Sequence, residues 1–267
     1  MSDHPVNQRA EESQALSAGG DADQLPGEQP ALQGITSQSL SDVLQRYGMA
    51  FSADQVAALY AYMKLLWDWN ERINLTRHTT LEKFVTRDVL DAQQLATLLT
   101  AGERVLDWGS GGGVPGIIVQ ILRPDVRVDL CECVGKKARV LEEMVQQLNL
   151  PSRVYARRIE DVFSEVPQPY NTVIARGVGP LWKMLRTLKP YRGQFGQLLT
   201  IKGPQWRTER GEARHRGFMH GWNLRRAAEY QNPEEEWESV ILRLWPKEDD
   251  PKETTPQSQR TKKRRHR

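Results

Sequence analysis

A chain of 267 residues with 39% hydrophobic and 27% charged side chains has the apolar content for one good core and a small extension. No apolar run is long enough to cross a bilayer, and the N-terminus lacks the basic-then-apolar order of a signal peptide; a cytoplasmic protein with no membrane partner is expected. The formal net charge is only +3, so each basic cluster reads first as a solvated face.

Residues 1–36 are rich in Gln, Ser, Gly, Asp and Glu and poor in large apolar side chains, which predicts a disordered N-terminal tail. A helix is predicted to begin at Ser52, with Gln55 three residues on as its capping-box partner. Within it Val56, Leu59, Tyr60, Met63, Leu66 and Trp67 recur at helical spacing and form one apolar face. A second helical stretch, "TLEKFVTRDVLDAQQLATLL", follows, so residues 37–100 read as a helical extension. From residue 104 strands alternate with helices: "RVLDW", "VRVDLCEC", "SRVYARR", "YNTVIAR" and "GQLLTIKG" are strands, and "WNLRRAAEYQ" and "WESVILRLWP" are two more joined by an acidic loop. "VPGIIVQILR", "KKARVLEEMVQQLNL" and "GPLWKMLRTLKP" are the intervening helices. The expected architecture is α/β and doubly wound, a mostly parallel seven-stranded sheet over residues 101–246, with a disordered basic tail at 247–267.

The stretch "RVLDWGSGGGVPGI" carries glycine at 109, 111, 112, 113 and 116, at the carboxyl end of the first strand, where ligands of such sheets bind. Gly111, Gly113 and Gly116 satisfy G-x-G-x-x-G, a weak signal that leaves a dinucleotide, a phosphate and S-adenosyl-L-methionine open. No Lys-Ser or Lys-Thr follows, which removes the P-loop. Glu132, closing the second strand, can accept hydrogen bonds from both ribose hydroxyls of either remaining ligand. Asp107 separates them, since a carboxylate directly before the glycines repels a pyrophosphate and attracts the ammonium of a methionine moiety. Cys131 and Cys133 flank Glu132 without C-x-x-C spacing or nearby histidines; they read as packing residues on one face, and no metal is expected.

"WNERINLT", "VLDWGSGGGVPGI", "GKKARVLEE", "RRIED", "VIARGVGPL" and "LLTIKG" occur in the order found in the RsmG (GidB) family, which the chain resembles over roughly residues 55–205. The resemblance implies a class I, Rossmann-like methyltransferase that uses S-adenosyl-L-methionine to methylate N7 of a guanine in small-subunit (16S) ribosomal RNA. It also implies that Gly109 and Val114 line the methionine end of the cofactor, that Ile159 and Glu160 border the adenine, and that Arg176 sits beside cofactor and incoming base. Departures from the family pattern fall at Val114 and Ile159, at Asp88 in place of a histidine, at Ala92 in place of a serine, and at "ARGVG" in place of "SRAVA".

Guanine N7 has an in-plane lone pair and no proton to lose, so no catalytic acid or base is named; the task is in-line alignment. Arg176 and Lys202, at strand carboxyl ends, are the candidates for gripping RNA. Arg207, Arg210, Arg214 and Arg216, interleaved with Trp206, Phe218 and Trp222, form a further cation and aromatic segment. The expected partner is ribosomal RNA or the small ribosomal subunit, met by a monomer. A small-molecule methyltransferase, a dinucleotide-dependent oxidoreductase and an inactive ribosome-associated protein of the same fold are the alternatives.

Overall fold

A computed structural model describes residues 34–234 and 238–247, so the disorder expected of residues 1–33 and 248–267 falls outside the described residues. The last three residues of the expected N-terminal tail are described and ordered: Thr36 caps the first helix, and Ile35 packs on the core.

Helix α1 (Ser37–Arg46) was not foreseen as an element of its own, although it buries Leu40, Val43 and Leu44 at helical spacing. Helix α2 (Ala53–Asn70) starts as expected. The Ser52 hydroxyl accepts from the Gln55 amide at 3.2 Å, and the Gln55 side chain accepts from the Ser52 amide at 3.0 Å. The next helical stretch is α3 (Leu81–Lys83) and α4 (Leu90–Ala96), joined through a π-helical turn at Phe84–Val89 that buries Phe84, Val85, Asp88 and Val89 together. A π-turn widens the helix locally and is frequent at functional sites.

The sheet has the order β3-β2-β1-β4-β5-β7-β6. Its parallel strands are β1 (Arg104–Trp108), β2 (Arg127–Cys131), β3 (Val154–Tyr155), β4 (Tyr170–Arg176) and β5 (Phe195–Lys202). The last two, β6 (Trp222–Gln231) and β7 (Glu238–Pro246), pair antiparallel, with β7 inserted between β5 and β6. The third strand is far shorter than "SRVYARR" suggested. Successive residues of a strand face opposite sides. Val105 and Ile174 accordingly enter one hydrophobic cluster and Leu106 and Val173 the other.

The first face is covered by α5 (Gly116–Leu122), α6 (Gly135–Gln147) and the helical extension, whose Leu59, Tyr62, Met63 and Leu66 share one cluster with Ile117, Ile118 and Val119. The extension is therefore half of the main core on that side. The second face is covered by α7 (Ile159–Glu165), α8 (Leu181–Leu188) and α9 (Trp206–His215). Among the described residues no helix is long and apolar enough to cross a membrane.

The extension reaches the glycine loop directly. The buried Tyr62 hydroxyl donates to the Gly112 carbonyl at 2.9 Å, and a Cβ at Gly112 would stand 2.8 Å from Leu66 Cδ1. Replacing Tyr62 with Phe orphans that carbonyl inside the core. Tyr62→Phe is expected to lower the unfolding free energy by about 1–3 kcal/mol, measured by urea denaturation at neutral pH.

Candidate active site

The parallel register brings the ends of β1, β2, β4 and β5 to one edge, with Trp108 beside Cys131 and Ala175, and Arg176 beside Ile201. A cleft opens there between Trp108, Gly109, Cys131, Cys133, Arg158, Ile159, Glu160 and Thr187. Gly109 holds φ +75°, and a Cβ added to it would meet Val178 Cγ2 at 3.0 Å. Backbone conformation and space both call for glycine there.

Two carboxylates hold the rest of the loop. Glu132 Oε2 accepts from the Gly111 amide at 2.9 Å, while its Oε1 accepts from the Val134 amide at 2.8 Å. Asp107 Oδ2 accepts from the Gly116 amide at 3.1 Å, at the start of α5. Gly116 is obligatory for this approach, because a Cβ would lie 2.5 Å from that oxygen. Asp107 is fully buried, and its Oδ1 has no hydrogen-bond partner among the described residues. Burial pushes its carboxyl up to about 7, against the hydrogen bonds of Ser110 and Gly116.

These positions give the expected cofactor residues distinct surroundings. Gly109, Ile159 and Glu160 share the cleft, and Gly111 and Glu132 are tied by a hydrogen bond. Val114 packs into the core cluster shared with the extension. Asp107 is enclosed. The cysteines depart from expectation: strand β2 ends at Cys131, so Cys133 is exposed while Cys131 is buried, and both line the cleft. The Cys131 thiol donates to the Arg157 carbonyl at 3.3 Å, and burial pushes its pKa up to about 12, which suits an inert thiol.

Arg176 and Lys202 line a second cleft, with His78, Asp91, Gly177, Gly179, Glu209 and Ser239. Neither cation stands open as expected. Arg176 Nη1 lies 2.8 Å from Asp88 Oδ1 and 3.1 Å from Asp91 Oδ2, both carboxylates being buried. Burial alone disfavours its charge, but the two carboxylates overcome this and raise the guanidinium above its ordinary pKa. His78 Nδ1 meets Asp88 Oδ1 at 2.8 Å, and the Tyr230 hydroxyl donates to Asp91 Oδ1 at 2.7 Å. The Asp88 departure thus places a carboxylate between His78 and Arg176. Lys202 Nζ donates to the Gly179 carbonyl at 2.5 Å and pairs with Glu209 Oε2 at 2.8 Å.

The aromatic segment is also redistributed. Trp206 and Trp222 are buried core residues, whereas Phe218 stacks on the half-buried Trp182 at 6.2 Å, with Arg216 over the same indole at 4.3 Å. Sequence reading missed Asp91, Glu209, Tyr230 and Thr187. Asp91 follows Asp88 by one helical turn, and Glu209 is an acid inside a basic run, the only hints available locally.

A five-strand parallel sheet with an antiparallel pair at one end, and a glycine loop between two strand-end acids, define a class I, Rossmann-like methyltransferase. A family model described as rRNA small subunit methyltransferase G matches residues 55–237. The ribosomal RNA small subunit methyltransferase G of Rhodopirellula baltica is 50% identical over 187 residues, covering 70% of this chain and 80% of that one. The protein of the same name from a Chelativorans species is 34% identical over 184 residues, 68% and 86% of the respective chains. A crystal structure of an MtNAS mutant superposes with a TM-score of 0.50 at 15% identity, over 82% of this chain and 78% of that one, a likeness of fold alone. The chain belongs to the rRNA small subunit methyltransferase G (GidB) family.

The raised Asp107 pKa has a consequence for stability. Its unfolded value is near 3.8 and its folded value about 7, so between these the native state holds the extra proton and stability falls as pH rises. Across that window the loss is roughly 4 kcal/mol. Asp107→Asn, with no titrating proton, is expected to flatten the decline in melting temperature of the cofactor-free protein between pH 4 and 8. Parallel curves for variant and wild type would refute the assignment.

Proposed function

We propose that this protein transfers the methyl group of S-adenosyl-L-methionine to N7 of a guanine in small-subunit ribosomal RNA, with the cofactor in the Gly109 cleft and the base in the Arg176 cleft. One observation carries the assignment of the two clefts. Residues 177–180 link them, with Val178 against Gly109, which lines the first cleft, and Gly177 and Gly179 lining the second.

The first cleft fits the cofactor. Gly109 leaves room that a side chain would fill, and Ile159 and Trp108 offer apolar surface to an adenine, whereas Asp107, expected to meet the ammonium, is enclosed behind the loop and does not line the cleft. Glu132 retains lone pairs for ribose hydroxyls beyond the two amides it already accepts from. When bound, the cofactor supplies a methyl group made electrophilic by its sulfonium.

The protein's own work is alignment. Guanine N7 carries the in-plane lone pair that would take the methyl group, so the residues of the two clefts would have to set that lone pair in line with it. No proton moves, so none of the residues acts as acid or base. The methylated guanine becomes cationic, and Arg176 and Lys202 in the second cleft do not oppose it as bare cations because each is paired with a carboxylate. The target is best presented as an unstacked base, because a stacked guanine cannot enter the cleft edge-on. This reading places the protein in the cytoplasm, as a monomer with both clefts in one chain.

The test is twofold. Calorimetry should show S-adenosyl-L-methionine binding that Gly109→Val abolishes and Glu132→Ala weakens by about 1–3 kcal/mol. Mass spectrometry of small-subunit RNA from a strain lacking the protein should show one N7-methylguanine missing. Binding of NAD without S-adenosyl-L-methionine, or an unchanged methylation pattern, would remove the proposal.

A further inference from the structure

Lys202 and Glu209 sit where the sequence suggests an RNA-gripping cation, yet their polar atoms point inward to one backbone loop. Glu209 Oε2 accepts from Lys202 Nζ at 2.8 Å and from the Leu181 amide at 2.9 Å. Lys202 Nζ, with the residue only 9% exposed, also donates to the Gly179 carbonyl at 2.5 Å. The loop 177–180 is thereby fastened on both sides of Pro180, from β5 and from α9. The fastening is needed, since Gly177 and Gly179 both hold positive φ, +70° and +145°, and glycines cost the most entropy to order. Between them Val178 touches the space above Gly109.

We infer that Glu209 and Lys202 are positioning residues. They hold the 177–180 wall at the depth that lines a guanine N7 up with the methyl group, and they do so without binding RNA themselves. The inference rests on the proposed base transfer, and it assigns these two side chains a role in the chemical step rather than in affinity. A shift of about 1 Å in a reacting geometry can cost roughly a hundredfold in rate.

Four variants test it: Glu209→Gln, Lys202→Met, Lys202→Arg, and the double variant Lys202→Met with Glu209→Leu, which removes both charges and leaves none buried alone. Cofactor affinity by calorimetry reads whether each variant is folded, and a change of less than about threefold is expected. Single-turnover methylation of small-subunit RNA, at saturating cofactor and RNA, should fall by about tenfold to a hundredfold in Glu209→Gln and in Lys202→Met, with KM for RNA little changed. Lys202→Arg, which can still donate to Gly179 and meet Glu209, should recover most of the rate. The double variant should be no slower than the worse single, as for two parts of one device. A raised KM at unchanged maximal rate would show that the cation grips RNA, and additive losses would show two separate roles; either result overturns the inference. If the wild type itself methylates no ribosomal RNA, the functional reading fails instead. Hydrogen exchange of residues 177–182 then decides whether the loop is fastened: faster exchange in both single variants supports the fastening, and unchanged exchange overturns it.

Discussion

The glycine loop is the constraint around which the rest is arranged, because it is held from four directions at once. Tyr62 takes the Gly112 carbonyl from the helical extension, Glu132 the Gly111 amide from β2, Asp107 the Gly116 amide from β1, and Val178 closes on Gly109 from beyond β4. Val178 and Asp107 approach Gly109 and Gly116 more closely than a side chain there would permit. Gly112 and Gly116 would clash with Leu66 and with Asp107 if they carried a Cβ, so these glycines serve packing as much as ligand access. The acid and glycine pattern is thus a structural clamp before it is a cofactor cradle. The helical extension supplies one of these four holds, and it shares one hydrophobic cluster with the sheet.

A second constraint is electrostatic. His78, Asp88, Arg176, Asp91 and Tyr230 form a continuous chain of polar contacts that crosses from the extension through β4 to β6. Two buried carboxylates around one guanidinium hold Arg176 in place, and removing such a cation leaves charges uncompensated at a cost of about 3–5 kcal/mol. Asp88 sits in the π-helical turn, where the widened helix carries it inward beside Phe84 and Val85. Tyr230 gains from the same chain: burial, then the charge and hydrogen bond of Asp91, keep its hydroxyl protonated well above its ordinary pKa, and so a donor.

Much of this was legible in the sequence wherever the signal is local. The Ser52 capping box, the strand and helix alternation, the glycine loop and its acid at Glu132 all follow from spacing along the chain. What escaped depended on distant partners. Arg176 and Lys202 were placed at the correct strand ends, but Asp88, Asp91 and Glu209, which neutralise them, lie on other elements. Helix α9 was hidden because its buried residues are only Trp206 and Ala213, a stripe too thin to outweigh its arginines. Helix α1 has a weak local signal because its apolar triplet follows a long polar stretch, and Cys133 leaves the face expected for it because the strand stops two residues earlier than its pattern implies.

Arg176 and Lys202 at the strand ends are both paired with carboxylates, and the pairing suits the proposed reaction. Methyl transfer to guanine N7 moves positive charge from a sulfonium onto the base, so an unpaired guanidinium or ammonium beside either atom would oppose binding of the cofactor and formation of the product alike. Arg176 with Asp88 and Asp91, and Lys202 with Glu209, keep the cation's hydrogen-bonding geometry while cancelling its field. Positive charge useful for phosphate contacts lies farther out, on exposed Lys183, Arg186 and Arg216 around Trp182. The proposed reaction thereby separates two electrostatic tasks by position, with exposed cations on the outer helices available to phosphates and Arg176 and Lys202 at the strand ends each paired with a carboxylate.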